Sequence, residues 1–480
     1  MKRAVILFAG ILVFAVSGPS ALQTASKSSP AHQKSAQKTE SRQSPVVRHV
    51  IVISVDGLMP ESYTAPDSHG LKVPTLRALA EHGAASAGVR GVMPSVTYAS
   101  HSTIVTGVNP LTHGIIANTV FDPEGKRDGE WFWYAEELRV PTLWDAARQK
   151  GLRTALINWP VTMGAQANFL VPEFWRGFGA DGANLLRAIS TPGLLAAVEK
   201  HFPGNAAGLT PPSARDESLS DIAVHVIETG RVNLLLLHIA EVDHWQHETG
   251  PWSQRAVAAI ENADLQIGRV IEAAKTAGTW DQTVMVVVSD HGFARHSHVL
   301  RPGVLLRQKG LVTMDEKTPT KIIAWKAQAL SSGGSAYIYL KDPADVETQR
   351  AVRELLLGLA GKAGSGIARV LTAEQVAVMG GDAAAFLAIE AADDFGFAGG
   401  VTGELITNAA TPGLHGFPPD RKEMDSSLLF FGATISPGKI ENARLIDIGP
   451  TIARLLGLRL ERAEGRALEL PGKPSLRPAN

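Results

Sequence analysis

Cysteine is absent from the 480-residue chain. This absence excludes disulfide bonds, thiol catalysis, zinc sites with cysteine ligands and a lipoprotein anchor, which is attached to a cysteine. A metal site in this protein must therefore be built from histidine and carboxylate side chains. The chain has 15 His residues, so the material for such a site is present.

An excess of charge of either sign is also absent, since 46 Lys and Arg residues stand against 47 Asp and Glu residues. The sequence has no basic tract of the kind that follows a nucleic-acid backbone. It therefore argues against nucleic acid as a bulk partner. With 45% hydrophobic residues, the chain has ample material for a large core.

The apolar run near the N-terminus, AVILFAGILVFAV, is shorter than the roughly 20 residues that a membrane-spanning helix needs. Two basic residues precede it and the small residues SGPSA follow it, which is the order of a secretory signal peptide. We therefore predict a signal peptide at residues 1–21, a periplasmic or secreted protein, and no stable membrane anchor; an uncleaved anchor is the alternative. The polar, low-complexity residues 22–47 predict a disordered linker, and residues 48–475 predict a globular domain.

Three apolar segments predict buried strands, and each of them ends in an aspartate. HVIVISVDG contains Asp56, VNLLLLHIAEVD ends in Asp243, and TVMVVVSDHG contains Asp290. Segments with helical spacing lie between them, such as QRAVAAIENADLQIGRVIEAAKTAG. This alternation predicts an α/β fold with a mostly parallel central sheet and helices on both faces. The segment 301–411, with its own strand SAYIYL and helix VETQRAVRELLLGLAGKAG, is predicted to be an inserted subdomain.

The stretch from Gly91 to Asn118 carries a candidate nucleophile. A loop with Pro94 leads to Thr97, and the run SHSTIVTGV that follows is typical of the start of a helix. A hydroxyl at a helix N-terminus meets unpaired N–H groups and the positive end of the helix dipole, which favour an anionic ligand such as phosphate. The alternative is that Thr97 and Ser100 are only helix caps.

Carboxylate and imidazole side chains lie at the ends of the predicted strands or just beyond them. Because the carboxyl ends of parallel strands share one edge of a sheet, these side chains are expected to meet there. The spacing of Asp243 and His247 lets a loop or a helical turn present both to one ion. Two sets of oxygen and nitrogen ligands suit two zinc ions. The whole set is Asp56, Asp243, His247, Asp290, His291 and His415.

Six motifs resemble, in their order and spacing, those of the alkaline phosphatase superfamily: VDG, TYASHSTIVTG, HGIIAN, DHWQH, SDHG and HGF. Within it the chain is most similar to the nucleotide pyrophosphatase/phosphodiesterase group, also called type I phosphodiesterases, from His49 to Leu458. The resemblance implies an alkaline-phosphatase-like three-layer sandwich with an inserted smaller α/β subdomain. It also implies that the domain at 48–475 is catalytic and acts on a small phosphodiester or nucleotide.

The resemblance further implies a role for each motif residue. Thr97 would be the nucleophile and would form a covalent phospho-threonine. Asn118 would donate a hydrogen bond to a phosphate oxygen, and Tyr98 would stack on the nucleobase or leaving group. Each chain would bind two Zn²⁺ ions. Asp56, Thr97, Asp290 and His291 would hold the first ion, and Asp243, His247 and His415 would hold the second.

The sequence departs from the family pattern near the nucleophile and in one strand. Ala99 and Ser100 replace the Pro and Asn that often follow the nucleophile, and His238 stands where a Tyr often lines the nucleoside pocket. Three further histidines match no family ligand and are predicted to lie around the site or on the surface: His244, His296 and His298.

Two other functions remain open. Because no Lys or Arg lies between Thr154 and Phe174, a diester is predicted to be preferred over a monoester. A cation from the insertion, Lys321 or Lys326, would reverse this preference, so a phosphomonoesterase or phosphonate hydrolase is the first alternative. A sulfatase would need a Cys or Ser motif that the chain lacks. The second alternative is a non-catalytic exported binding protein.

Overall fold

The computed structural model of the chain describes residues 47–126, 129–174, 179–209 and 215–472. The predicted signal peptide and nearly all of the predicted linker lie outside these ranges. The described residues belong to one compact unit, Ser44–Asn480. Within these ranges no helix combines the length and the apolar composition that crossing a membrane requires.

The strands are numbered here in chain order over the described residues. They are β1 (His49–Val55), β2 (Ala84–Ser86), β3 (Thr154–Ile157), β4 (Phe169–Val171), β5 (Leu234–Ile239), β6 (Thr283–Val288), β7 (Ala294–Leu300), β8 (Val312–Met314), β9 (Ile322–Trp325), β10 (Ala327–Ser331), β11 (Ser335–Leu340), β12 (Ile367–Thr372), β13 (Leu387–Ala391), β14 (Asp394–Phe397), β15 (Ile406–Asn408), β16 (Gly413–Leu414), β17 (Leu428–Gly432) and β18 (Gly438–Ile440).

The α-helices of the same ranges are α1 (Glu61–Thr64), α2 (Pro74–His82), α3 (Thr97–Thr106), α4 (Pro110–His113), α5 (Leu143–Gln149), α6 (Gly179–Ile189), α7 (Leu194–His201), α8 (Asp216–Gly230), α9 (Glu241–Thr249), α10 (Gln254–Thr276), α11 (Pro302–Gln308), α12 (Val346–Leu357), α13 (Ala373–Val378) and α14 (Ile448–Leu455). Short 3₁₀ helices occupy Pro66–His69, Ala135–Glu137, Asn205–Leu209, Trp280–Gln282, Lys422–Met424 and Leu445–Asp447.

The central sheet has eight strands in the described part of the chain, in the order β18-β2-β17-β6-β1-β5-β3-β4. β17 runs antiparallel to both of its neighbours, β2 and β6, and the other pairings are parallel. β1 lies between β5 and β6, with Ile53 opposite Leu237 on one side and Val287 on the other. This arrangement confirms the predicted mostly parallel sheet.

The side chains of the central strands alternate between two cores, as the pleat of a strand requires. Ile51, Ile53 and Val55 of β1 pack with α2, α8 and α10, whereas Val50 and Val52 pack on the other face with α3, α5 and α14. β1 reads as a continuous apolar run because both of its faces are covered. The two cores on either side of the sheet make the three layers of the predicted α/β sandwich.

The chain leaves the central sheet after β6 and returns to it at β17. Between them, β10, β11, β13 and β12 form an antiparallel sheet in that order, and β7 pairs with β14, β15 and β16. The predicted strand SAYIYL is β11. The predicted helix starts at Val346, as α12 does, but α12 ends at Leu357. The boundaries 301–411 of the insertion stay a prediction.

The expected position of Asp243 at the end of a strand is wrong. β5 ends at Ile239 and α9 begins at Glu241, so Asp243 lies in the first turn of a helix. The carboxylate of Asp216 accepts hydrogen bonds from the backbone N–H groups of Ala240 (2.9 Å) and Glu241 (3.2 Å). It thereby satisfies backbone donors that a helix start leaves unpaired, which explains why the helix begins this early.

Candidate active site

A first ligand cluster forms where β1 and β6 end side by side. Asp56 follows β1 directly, and Asp290 and His291 follow β6 after one residue. Nε2 of His291 lies 3.4 Å from Asp56 Oδ1 and 3.2 Å from Asp290 Oδ2. All three side chains are buried. The shared strand edge therefore brings these three predicted ligands together.

A second cluster joins α9 to the segment after β16. Asp243 and His247 are one helical turn apart on α9, and Nε2 of His247 lies 3.4 Å from Asp243 Oδ1. Nε2 of His415 lies 3.7 Å from the same oxygen. His415 comes directly after β16, whose pairing with β7 returns the chain to this edge. The structure thus brings the other three predicted protein ligands together as well.

The spacing within each cluster suits one metal ion. Ligand atoms 2.0–2.2 Å from a tetrahedral zinc ion lie roughly 3.3–3.6 Å from one another. The distances above span 3.2 to 3.7 Å. Each cluster offers three ligand atoms that all lie within 4.8 Å of one another.

Backbone carbonyls orient the three imidazoles of the clusters. Nδ1 of His247 lies 3.0 Å from the carbonyl oxygen of Gly413, and Nδ1 of His415 lies 3.1 Å from that of Ser95. Nδ1 of His291 lies 3.1 Å from the carbonyl oxygen of Gly292. A carbonyl only accepts, so Nδ1 carries the proton in each ring. The lone pair of each Nε2 is then available to a metal, as in many proteins that fix a histidine ligand through its other nitrogen.

Several atoms that point into the clusters lack a hydrogen-bond partner among the described residues. These buried atoms are Asp56 Oδ1, Asp243 Oδ1, Asp290 Oδ2 and His291 Nε2. Leaving a buried polar atom unpaired costs about 1–3 kcal/mol, and more for a charged group. Cations would satisfy all four atoms. The donor set of carboxylate oxygens and imidazole nitrogens therefore fits a metal ion at each cluster.

The charges of the clusters also favour bound cations. Burial, and then the charges of Asp290 and Asp243, raise the pKa of the Asp56 carboxyl well above its usual range. Burial, and then His291 and His247, hold the pKa of the His415 imidazole well below its usual range. The carboxylates of both clusters thus lie close enough to repel one another. Bound cations would relieve this repulsion, and the neutral imidazole of His415 is already in the form that binds metal.

Thr97 is the first residue of α3, and contacts around it tie this helix start to both clusters. His101, one turn later, contacts the carbonyl oxygen of Thr97 through Nδ1 (2.8 Å) and Oγ of Ser54 on β1 through Nε2 (2.9 Å). Its Nδ1 also lies 3.6 Å from Asp290 Oδ2 in the first cluster. On the other side, the Ser95 carbonyl contacts His415 in the second cluster. These contacts fix the start of α3 against both clusters.

The helix-cap interpretation of Thr97 and Ser100 is wrong. The residue in the N-cap position of α3 is Val96, and no side chain caps this helix end. Thr97 is 8% exposed, whereas Ser100 is fully buried within the helix. The Thr97 side chain therefore has no capping role that would explain its presence at this edge of the sheet.

Asn118 and Tyr98 lie next to Thr97. Oδ1 of Asn118 accepts a hydrogen bond from the backbone N–H of Tyr98 (3.0 Å), which leaves the amide NH₂ group of Asn118 to face elsewhere. The Tyr98 ring is fully buried and meets the half-buried ring of Trp131 edge-on, with centroids 5.2 Å apart. Its hydroxyl hydrogen-bonds to Glu173. A stacking role for Tyr98 stays a prediction, and Trp131 is the more exposed ring of the pair.

The sequence did not indicate a role for two residues at this edge of the sheet, His238 and Glu173. His238 places Nε2 3.1 Å from Asp56 Oδ2 and Nδ1 3.0 Å from the Asn158 carbonyl oxygen, and burial lowers its pKa to about 3. Glu173 lies just after β4, at the same sheet edge, and burial raises its pKa to about 8. The position of each residue at a strand end was the available signal. Neither residue belongs to a recognised motif, so the signal was weak.

The three unmatched histidines lie outside the two clusters, as expected. His244 is exposed on α9 and packs against Trp245. His296 is buried on β7, and His298 pairs with Asp394, with Nδ1 3.2 Å from a carboxylate oxygen.

The chain is similar to proteins of a known family. The model of the type I phosphodiesterase / nucleotide pyrophosphatase family matches residues 50–374. An uncharacterized pyrophosphatase/phosphodiesterase of Schizosaccharomyces pombe is 27% identical over 262 residues, which cover 51% of this chain and 44% of that protein. Ectonucleotide pyrophosphatase/phosphodiesterase family member 1 of Homo sapiens is 24% identical over 255 residues, 52% of this chain and 24% of that protein. The chain thus matches less than half the length of these relatives.

Solved structures share the fold. The structure of murine ectonucleotide pyrophosphatase/phosphodiesterase 5 superposes with a TM-score of 0.60 at 19% sequence identity, covering 87% of this chain and 97% of that chain. An inactive variant of the same murine protein in complex with AMP gives the same values. At this level of identity the likeness establishes the three-layer fold alone.

Proposed function

The chain belongs to the type I phosphodiesterase / nucleotide pyrophosphatase family of the alkaline phosphatase superfamily, and from this membership we propose that it is an exported, zinc-dependent hydrolase of phosphodiester or phosphoanhydride bonds. The observation that carries the proposal is that Thr97 opens α3 and that contacts of its neighbours, His101 and Ser95, tie this helix start to both clusters of metal-binding side chains. Such a pair of clusters beside a hydroxyl group is the arrangement that two-metal phosphoryl transfer needs.

Each cluster would hold one of the two proposed ions. Asp56, Asp290 and His291, with Thr97, would hold one ion, and the cluster of Asp243 with its two histidines would hold the other. When bound, the two ions would supply positive charge for the phosphate oxygens and would lower the pKa of the Thr97 hydroxyl and of the attacking water.

Thr97 would carry the phosphoryl group in two displacements. In the first, its hydroxyl proton passes to solvent and its oxygen forms a bond to phosphorus, while the bond to the leaving oxygen breaks and the leaving group departs with the electron pair. The product is a covalent phospho-threonine that keeps the other substituent. In the second, water gives up a proton to solvent and attacks phosphorus from the opposite side, the bond to Thr97 breaks, and the Thr97 oxygen takes a proton from solvent. Covalent catalysis thus replaces one difficult step by two easier ones.

Neutral hydrogen-bond donors would stabilise the charge on the phosphate. The amide oxygen of Asn118 is occupied by the backbone N–H of Tyr98, so its NH₂ group is the part that would donate to a non-bridging oxygen. The N-terminus of α3 adds the positive end of its helix dipole. Donors fixed in this way need no rearrangement as charge develops in the transition state.

The substrate class and the location follow from the relatives and the N-terminal sequence. Relatives named as ectonucleotide pyrophosphatase/phosphodiesterases and venom phosphodiesterases support a small nucleotide or other phosphodiester as substrate. The predicted signal peptide at residues 1–21 supports a periplasmic or secreted enzyme.

The test combines metal analysis with turnover of bis-(p-nitrophenyl) phosphate. We expect two zinc ions per chain, loss of turnover after chelation and its recovery when Zn²⁺ is added back. Turnover that survives complete removal of metal would contradict the proposed chemistry. Two bound ions without any turnover of diesters, nucleotides or monoesters would favour a binding protein.

A further inference from the structure

Gly57 connects the two clusters through its backbone. It follows Asp56 directly, and its N–H donates a hydrogen bond to Asp290 Oδ1 (3.1 Å). Its carbonyl oxygen accepts a hydrogen bond from Nε2 of Gln246 (2.9 Å). The first contact lies within the first cluster, whereas the second reaches across to the helix that carries the second cluster.

Gln246 is placed to hold the second cluster in a fixed position relative to the first. It is fully buried on α9, three residues after Asp243 and immediately before His247. A helical turn is rigid on the scale of one residue, because its backbone hydrogen bonds fix the spacing of neighbouring side chains. Tying Gln246 to Gly57 therefore fixes two ligands of the second cluster relative to the turn that carries Asp56.

The close packing around Gly57 shows that this contact has little freedom to shift. Gly57 has a φ of +68°, a conformation that glycine adopts at low cost. A Cβ atom at this position would lie 3.0 Å from Nε2 of Gln246 and 3.0 Å from the ring of Phe293. The amide of Gln246 thus meets the bare backbone of the turn, with no side chain between them.

Other contacts of α9 tie it to different parts of the fold. Asp216 binds the backbone at the start of α9 and anchors it to α8, and His247 binds the Gly413 carbonyl and anchors it to β16. Neither contact involves residues at the end of β1. The hydrogen bond from Gln246 to Gly57 does, which gives it a different role from general helix packing.

We infer that Gln246 is a positioning residue that sets the separation of the two metal ions by holding α9 against the Asp56–Gly57 turn. The inference rests on the proposed function, because two ions that act on one phosphate must keep a fixed distance from each other and from Thr97. Misplacing catalytic groups by about 1 Å can lower a rate about 100-fold. The ligand side chains themselves are unchanged by this contact, so its loss should alter geometry more than metal affinity.

The test compares Gln246→Met with Gln328→Met. Methionine has a length similar to that of glutamine and is apolar, so each variant removes the amide but keeps most of the packing. Gln328 is the matched control because it is also buried and also donates through Nε2 to a backbone carbonyl, that of Pro123 (3.2 Å). Three quantities are measured on the zinc-loaded proteins: the ions per chain, the metal–metal distance by X-ray absorption, and kcat and KM for bis-(p-nitrophenyl) phosphate.

We expect Gln246→Met to keep two ions, to change the metal–metal distance, and to lower kcat about 10- to 100-fold with a KM near that of the wild type. Gln328→Met should match the wild type in all three. An unchanged metal–metal distance, or a kcat within threefold of the wild type, would overturn the inference. If Gln246→Met does not fold, Gln246→Asn, which is one methylene too short to reach Gly57, is judged by the same three measurements.

The outcomes separate this inference from the proposed function. A changed metal–metal distance in Gln246→Met, in a protein that cleaves no phosphodiester, would refute the proposed function and retain the positioning role. Full hydrolysis by both variants with an unchanged distance would refute the positioning role and leave the proposed function standing.

Discussion

The imidazole ring of His415 stacks on that of His291, with the ring centroids 3.7 Å apart and the planes inclined by 10°. The two rings belong to different ligand clusters and come from segments that are distant in the sequence. Each ring therefore forms part of the wall of the neighbouring cluster. This contact places the two candidate metal positions side by side, as a single phosphate group that bridges both would require.

We predict that His415→Ala weakens or empties one metal site and leaves the other filled. The second cluster loses one of three protein ligands, whereas Asp56, Asp290 and His291 remain. Metal analysis of the dialysed protein should fall from two ions per chain to about one. His298→Ala, at a histidine outside both clusters, is the control and should keep two. Two ions bound to His415→Ala at full affinity would show that His415 is no ligand.

We predict that Thr97→Ala abolishes turnover while the fold and the metal content stay nearly intact. The substitution removes the nucleophile but only one of several ligands. A loss of more than about 100-fold in kcat, equivalent to ~2.7 kcal/mol, is expected, and Thr97→Ser should recover part of it because the hydroxyl returns. The assignment fails if Thr97→Ala retains more than about a hundredth of the wild-type kcat.

We predict that Asn118→Asp lowers kcat/KM for the diester about 100- to 1000-fold. The aspartate keeps the oxygen that accepts the Tyr98 N–H, so the local backbone contact is preserved. It loses the NH₂ donor and adds a negative charge near the phosphate. Steady-state kinetics on Asn118→Asp and Asn118→Ala separate these effects, since alanine removes the donor without adding charge. Activity of both variants within tenfold of the wild type would exclude Asn118 as a phosphate donor.

We predict that diesters are better substrates than monoesters. A monoester dianion carries one more negative charge, and binding it well requires a cation near the phosphate. No Lys or Arg lies between Thr154 and Phe174, and Lys321 and Lys326 are exposed side chains. The measurement is kcat/KM for bis-(p-nitrophenyl) phosphate and for p-nitrophenyl phosphate on one preparation.

The control for substrate charge is the double variant Lys321→Ala/Lys326→Ala. If the insertion supplies no cation to the site, its ratio of diester to monoester activity equals that of the wild type. A monoester that is the better substrate would refute the diesterase assignment and leave the metal site untouched.

We predict that Asp216→Asn becomes more stable relative to the wild type as pH rises. Burial, and then the charge of Glu241, raise the pKa of Asp216 to about 7 in the folded protein. Since the folded pKa lies above the unfolded value of about 4, the stabilisation by the protonated form is complete below pH 4 and is lost as pH rises through 7. Over that interval the wild type should lose at most roughly 1.4 kcal/mol per pH unit relative to the variant. Urea unfolding at pH 5 and pH 7, with the exposed Asp281→Asn as control, measures this difference. A constant difference between the two proteins would contradict the prediction.

The sequence was sufficient to predict the strands that carry the site. β1, β5 and β6 are continuous apolar runs because helices cover both faces of a parallel sheet, and Asp56 and Asp290 follow two of them closely. The position of these two aspartates just after buried strands was therefore enough to predict that they lie at one edge of the sheet. For Asp243 the same reasoning failed, because α9 starts within the segment that was interpreted as strand.

The contacts that orient the ligands were not predictable from the sequence. The Gly57–Gln246 and Asp56–His238 contacts join residues more than 180 positions apart, and a hydrophobic pattern carries no information about such pairs. The burial of Tyr98 depends on Trp133, Val161 and Ile115, which come from three other segments. Local sequence fixes where a side chain leaves the backbone, whereas its partners depend on how distant segments pack.

The antiparallel strand β17 pairs with β6 but comes much later in the chain. During synthesis, β1, β5 and β6 are complete long before Leu428–Gly432. One backbone edge of β6 therefore stays unpaired until β17 has been made. An unpaired edge of this kind readily recruits strands from other chains. His415 lies shortly before β17, so the last predicted ligand in the chain is synthesised just before the strand that pairs with β6. Chains truncated before Leu428 are thus expected to aggregate, and the proposed second metal site would be completed only late in synthesis.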